Sequence, residues 1–433
     1  MKLSKYLIPI SLAVAVVVSL VLSVVLWTNP ANYRNRQNAT NNPQTNMSTS
    51  SKNDIFTPSQ AIANDSNGKQ EVLVNSKVNA VAQIKGTMQD FKNAKIKKIS
   101  QNSKSKYLQI GRRKNSILLN YPSPIPMNIL NGTVNGRFRN FPNYSVSRII
   151  LPTDNSNTLY LLNDQGFKVY QVTVKSHDLN PLRKVIAADQ QKILVSLKMF
   201  NGFPVVFIMD TTPMQPYKVL VEKQTQDFYV SRLLNNENSQ NINMKKHKNV
   251  VTYSDAANDL QLTLNTKTQA AQLSNYQPNN GRGDFTSIIE NSYEGLEKSG
   301  IPLDNVRFYG YDEDTKTATY RTFVEGFPIF QANGAATYSS QTVNDSLTKC
   351  SFWLNNLQVP LPNRKAMVSL PSTSTIISGL VTRGFNVKQI KMIRLGYRWQ
   401  VDPSSSMVID LIPDVYVYYQ NKWVSYTQVM NNQ

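Results

Sequence analysis

The chain is short of the residues that most often react or bind metal. Among its 433 residues there are one cysteine and two histidines, and charged side chains are only 17 % of the total. Cys350 alone cannot form an intramolecular disulfide. Cysteine-based zinc or iron–sulfur sites are excluded on the same ground, and histidine-rich metal sites nearly so. No HExxH, GxSxG, P-loop or GxGxxG pattern occurs. His177 stands in a polar turn (KSHDLN) and His247 in a basic loop (KKHK), neither of them a setting for a catalytic base. Ser103-Lys-Ser-Lys106 and Ser346-Leu-Thr-Lys349 match Ser-x-x-Lys, but no Lys-Thr-Gly accompanies them. Neither a cofactor nor a metal is expected, and the chain reads as a non-enzyme.

Acidic residues are also scarce, 27 against 47 Lys plus Arg, so the net charge is +20. Hydrophobic residues at 40 % and aromatics at 9 % are enough to build a core, which argues against global disorder. Two or three domains are expected.

What is present begins with an uncharged run of 21 residues, Leu7 to Trp27 (LIPISLAVAVVVSLVLSVVLW). As a helix it spans about 31 Å, matching a hydrocarbon core of roughly 30 Å. Trp27 ends the run, where an indole favours the headgroup layer and acts as an interfacial anchor. A cleaved signal peptide is the competing reading, but this run is longer than usual and WTNPANY offers no Ala-x-Ala site. We expect a single-pass signal-anchor with residues 1–6 cytoplasmic and the bulk extracellular. Lys2 and Lys5 before the span are matched by Arg34 and Arg36 after it, so charge alone does not set this orientation. Ser11, Ala15, Ser19 and Ser23 recur every fourth residue, a small-residue stripe along which a partner helix can approach closely.

Residues 28–54 read as a polar linker. An α+β ectodomain of antiparallel sheets with helices packed on one face is expected beyond it, in three parts: 55–180, 181–283 and 284–433. Val78, Val81, Ile84, Met88 and Phe91 mark one helix face that ends near Ala94. Strands are expected at Tyr107–Ile110, Ser116–Tyr121, Ser145–Leu151, Leu159–Leu162 and Lys168–Val174. Pro181–Met199 reads as helix or mixed structure, and Tyr217–Leu234 as a helix. In the last part, helices at Asp284–Ser299 and Thr373–Thr382 are each followed by strands, an internal duplication. Arg282-Gly283-Asp284 is explained as a boundary turn with Asp284 or Thr286 capping the next helix. Cys350 reads as a small buried hydrophobe.

Charge concentrates between Lys85 and Lys114, where ten basic residues meet one acid, Asp90. Lys92, Lys95, Lys97, Lys98, Arg112, Arg113 and Lys114 are its candidate polyanion contacts. Outside a cell the available polyanions are lipid headgroups and anionic wall polymers rather than nucleic acid. A solvated surface explains the same run.

VVLWTNPANY, YKVLVEKQTQDFYVSRLL (217–234), VTYSDAANDLQLTLN (251–265) and LIPDVYVYYQNKW (411–423) together resemble the YycH family. The resemblance covers nearly the whole chain and rests on structural rather than catalytic motifs. It implies a membrane-anchored, non-enzymatic accessory protein of the WalK/WalR two-component system of Gram-positive bacteria. It further implies partners, the sensor kinase WalK and the single-pass protein YycI, and a three-domain ectodomain whose last two domains resemble YycI. The alternative is an anchored binder of anionic wall polymer.

Overall fold

The structure, a computed structural model, describes residues 52–431 except 75–79, 90–93, 135, 137, 140–143, 155, 175–177, 189, 235–241, 279–283, 302, 331–335 and 364–365. The expected span Leu7–Trp27, with Ser11, Ala15, Ser19, Ser23 and Trp27, lies outside the described residues, as does Lys92. Among the described residues no helix is long and apolar enough to cross a membrane.

The first half builds a ten-stranded sheet. Its strands are β1 (Gln60–Asn64), β2 (Gln70–Val74), β3 (Ala94–Ser100), β4 (Ser116–Pro126), β5 (Phe138–Arg139), β6 (Ser145–Pro152), β7 (Thr158–Asn163), β8 (Lys168–Thr173), β9 (Gln191–Phe200) and β10 (Phe203–Ile208). They lie in the order β10-β9-β2-β1-β4-β6-β7-β8-β3-β5, antiparallel except for the short β3–β5 pair. Alternation decides which side each residue takes. In β4, Ile117 and Leu119 enter one core cluster and Leu118 the other. Helices α1 (Lys52–Ile55), α2 (Ala80–Gln89), α4 (Met127–Thr133) and α5 (Asn180–Ala187) contribute to the first cluster. Helix α3 (Lys104–Gly111) contributes Tyr107 and Ile110 to the second. This sheet therefore carries helices on both faces, not on one as expected.

A second sheet follows. Its strands are β12 (Tyr217–Lys223), β13 (Ile242–His247), β14 (Val250–Asp255), β15 (Leu260–Asn265), β16 (Ala270–Asn275), β17 (Val306–Asp312), β18 (Thr317–Val324), β19 (Phe327–Phe330), β20 (Thr337–Asn344), β21 (Leu347–Trp353), β22 (Asn355–Leu357), β23 (Leu361–Pro362), β25 (Ile390–Asp402), β26 (Ser405–Tyr419) and β27 (Lys422–Ser425). The main path runs β13-β14-β15-β16-β21-β20-β18-β19-β25-β26-β12-β22. Only β19–β25 is parallel in it. A separate pair joins β11 (Thr212–Met214) to β24 (Val368–Leu370). Helices α6 (Gln226–Leu233) and α7 (Phe285–Lys298) serve the first cluster, whereas α8 (Thr373–Thr382) serves the second. Helix α9 (Tyr426–Asn431) closes the chain's described part.

Three expectations differ. Tyr107–Ile110 is helical, because Ser103 caps α3 by accepting from the Lys106 amide and the three-residue spacing of Tyr107 and Ile110 turns both to the core. Tyr217–Leu234 is half strand: Tyr217, Val219 and Val221 alternate inward in β12, and Thr225 then starts α6 by accepting from the Phe228 amide at 3.2 Å. Pro181–Met199 resolves into α5 followed by β9, and Ala94 begins a strand rather than ending a helix. Asp284 caps α7 through the Ser287 amide at 2.9 Å. The order helix-then-strands occurs after both α7 and α8. Of the strands within 181–283, β9 and β10 join the first sheet and β12 to β16 join the second.

Candidate functional site

The basic run of the sequence divides between two places. Lys95, Lys97 and Lys98 are exposed on β3, next to the last strand of the first sheet. Arg112, Arg113 and Lys114 follow α3 and lead into β4, near the middle of that sheet. Four strand spacings separate β3 from β4 in the order, roughly 19 Å at about 4.8 Å each. That exceeds the physiological screening length of about 8 Å, so the two groups act as separate charges toward a small ligand. They also differ in freedom. Arg113 is half-buried, pairs with Asp154 at 2.9 Å and lies over the Tyr160 ring. Arg112 is exposed and donates from Nε to the Leu197 carbonyl at 2.6 Å, and Lys114 is exposed. Lys85, at the start of the run, pairs with Asp54 at 3.0 Å.

A more organised arrangement lies at the seam between the two sheets. The β18–β19 hairpin turns through Glu325 and Gly326, both at positive φ (51° and 82°), the signature of a tight two-residue turn. Its tip rests against the Ser59 backbone. Arg394 of β25 donates to the Pro122 carbonyl of β4. The Asn201 amide of the β9–β10 turn donates to the carbonyls of Val387 and Ile390 at 2.6 and 2.8 Å. Thr373, at the start of α8, accepts from the Ile208 amide of β10 at 2.9 Å.

The hairpin tip at Gly326 and the Arg394–Pro122 contact border a cavity of about 140 Å³, lined among others by Asn120, Arg148, Phe203, Phe327, Met392 and Arg394. Arg148 on β6 is only 5 % exposed. It donates to Tyr107 Oη at 2.6 Å, to the Asp164 carboxylate and to the Pro204 carbonyl at 3.1 Å. Burial works against its charge, but Asp164 and Tyr107 more than offset this and raise its pKa. Burial likewise pushes the Tyr107 hydroxyl well up. Such a network holds charge in place rather than moving a proton. Arg394 stands 5.3 Å from the Tyr309 ring and 5.6 Å from that of Trp423. Glu325 beside this seam has its carboxyl pushed up to about 7 by burial.

Other candidates from the sequence have structural roles. Cys350 is buried, burial pushes its thiol up, and it donates to Ser340 Oγ at 3.7 Å. Ser103 of the first Ser-x-x-Lys is a helix cap, and Ser346 sits in the β20–β21 turn. Among the described residues no three His, Cys, Asp or Glu side chains cluster to hold a metal. Sequence reasoning passed over Arg148, Asp164 and Arg394. The signal was present for the two arginines: SVSRIIL and IKMIRLG each set a guanidinium beside the apolar residues of a strand, where burial demands partners.

The model of the YycH protein N-terminal domain matches residues 8–191, and that of the YycH protein C-terminal domain matches residues 205–431. The chain belongs to the YycH family. The crystal structure of YycH from Bacillus subtilis superposes with a TM-score of 0.68 at 15 % identity, covering 88 % of this chain and 98 % of that one. At that identity the likeness concerns the YycH fold. No curated protein sequence matches the chain. YycH domains point to regulation of the WalK system rather than to catalysis.

Proposed function

We propose that the chain is a non-catalytic, membrane-anchored regulator of the sensor kinase WalK, acting together with a YycI-like single-pass partner. The observation that carries this reading is the match of both YycH domain models over residues 8–191 and 205–431. The uncharged run Leu7–Trp27 supports a single span, and this reading places the bulk of the chain outside the cell. In this reading the anchor helix packs on kinase helices through Ser11, Ala15, Ser19 and Ser23 and biases their signalling arrangement. A coupling of about 1–3 kcal/mol changes kinase output roughly 5- to 150-fold. The test replaces those four residues with leucine in the full chain. Crosslinking to the kinase and kinase output should both fall; unchanged values in an intact membrane would dismiss the stripe.

A second reading, retention on anionic wall polymer, is favoured by the exposure of Lys95, Lys97, Lys98, Arg112 and Lys114. It predicts salt-sensitive retention of the chain on purified wall material. Absence of retention at low salt would end it.

A further inference from the structure

Of the four strands at the ends of the two strand orders, three offer little open edge. β5 and β22 are two and three residues long, and β10 packs against β25 at the seam. β13 differs. It runs six residues, pairs with β14 on one side and meets no strand on the other among the described residues. About half of its backbone groups, roughly three N–H and three C=O, therefore point away from β14. Asn243 to His247 are all exposed. An open edge of this length is a template for another strand.

The side chains of β13 select the partner. Lys245 and His247 stand beside Thr252 and Val250 on one face, and Met244 and Lys246 beside Tyr253 and Val251 on the other. The second face is the core side: Val251 is buried, and the Tyr253 hydroxyl donates to Gln226 of α6 at 3.2 Å. Met244 continues that face outward and is 60 % exposed. From Ile242 to Ser254 there are three lysines, Lys245, Lys246 and Lys248, and no acidic residue. These charges disfavour a second copy of the chain, because pairing of two such edges would set lysines against lysines. They favour an acidic strand.

We propose that β13 receives an extended segment of a partner protein in which acidic and apolar residues alternate. The segment pairs with the open backbone, its carboxylates meet Lys245 on one face, and an apolar side chain covers Met244 on the other. Main-chain hydrogen bonds supply the affinity, and the alternation sets the register. The proposal concerns this edge alone and stands whether or not the kinase reading does.

The probe is the acetylated and amidated hexapeptide Glu-Val-Glu-Val-Thr-Val, titrated by ligand-observed NMR against the full chain in detergent. A Kd of about 0.1–1 mM is expected for six residues that become ordered on binding. Replacing both glutamates by lysine, or the second valine by proline, should each weaken binding by about tenfold or more. Raising the salt from about 0.05 to 0.5 M should weaken it about fivefold. Lys245 and Lys246 are exposed, so the double change Lys245→Glu, Lys246→Glu should keep the parent's unfolding midpoint. It should lose the acidic peptide about tenfold and gain the lysine version. Equal binding of the acidic and lysine peptides would overturn the proposal. So would equal binding of the proline peptide, which would show charge attraction without strand pairing. No binding at all, or a charge-reversed chain that still prefers the acidic peptide, would do the same. Self-association of the parent that the peptide displaces would assign the edge to a second copy and end the proposal.

Discussion

The contact of the β18–β19 hairpin with the first sheet can be measured with two matched glycines. Gly326 and Gly202 each occupy the second position of a two-residue turn at positive φ, 82° and 87°, behind Glu325 and Asn201 at 51° and 50°. They differ in surroundings. A Cβ at Gly202 meets nothing within 4 Å, whereas one at Gly326 falls 2.4 Å from the Ser59 carbonyl oxygen. Gly202→Ala therefore incurs only the backbone cost of a side chain in the left-handed region, about 1–2 kcal/mol. Gly326→Ala incurs that cost and must also push the Ser59 backbone away by about 1 Å to restore a normal contact distance.

A backbone carbonyl cannot swing aside as a long side chain can. Overpacking of this kind costs about 1–3 kcal/mol, so Gly326→Ala should total about 2–5 kcal/mol. Urea unfolding of the full chain in detergent reads the difference, because the two variants share the turn type and the lost glycine entropy. Gly326→Ala should unfold at clearly lower urea than Gly202→Ala with the same slope. Equal midpoints would refute the claim that this hairpin bears on the first sheet.

Further outcomes follow from buried groups. Tyr107→Phe removes a hydroxyl that bridges Arg148 and Asp164, and should destabilise by about 1–3 kcal/mol in the same urea assay. Tyr276→Phe, at a ring 47 % exposed, should cost close to nothing. The Glu325 carboxyl is raised by burial from 4.5 to about 7, so the fold favours its neutral form. Its contribution is fully present below pH 4.5 and is lost as pH rises through about 7. The carboxyl is part-exposed, and screening reduces the linked loss to about 1–2 kcal/mol. Glu325→Gln should gain that much on the parent between pH 5 and pH 8; parallel stability curves would contradict it. Cys350 should resist a thiol reagent in the native chain and react promptly once unfolded.

Local patterns were readable in the sequence where one physical rule decides them. Asp284 is followed by the apolar positions Ile289, Tyr293 and Leu296 at spacings of four and three, and α7 starts at its cap. Thr373–Thr382 matches α8 residue for residue. Short apolar runs misled, as at Tyr107–Ile110, because four residues hold too little period to separate a helix turn from a strand. Strand partnership was not legible. Nothing local to Gln191–Ile208 says that it continues the first sheet beside β2, since that pairing joins Val72 to Ile193 across 121 positions. The candidate site shared this limit. The basic run was visible as composition, but its division between β3 and the α3–β4 turn depends on strand order. Arg148 and Arg394 are far apart in sequence and become neighbours of one cavity only through the packing of two sheets.

That packing bears on how such a chain could carry a signal. Each of the two main core clusters contains residues of both sheets, for example Leu119 with Phe308 in one and Val195 with Tyr397 in the other. Hinged motion of one sheet against the other would open close-packed apolar surface in both clusters at once, at about 25 cal/mol per Å² exposed. Opening even 400 Å² would cost about 10 kcal/mol, more than a coupling of about 1–3 kcal/mol can drive. A conformational change that so small a coupling can drive therefore belongs where packing is incomplete. The cavity beside Arg148 and Arg394 meets that condition: its walls can shift by a rotamer of Met392 or Phe203 without unmaking either core.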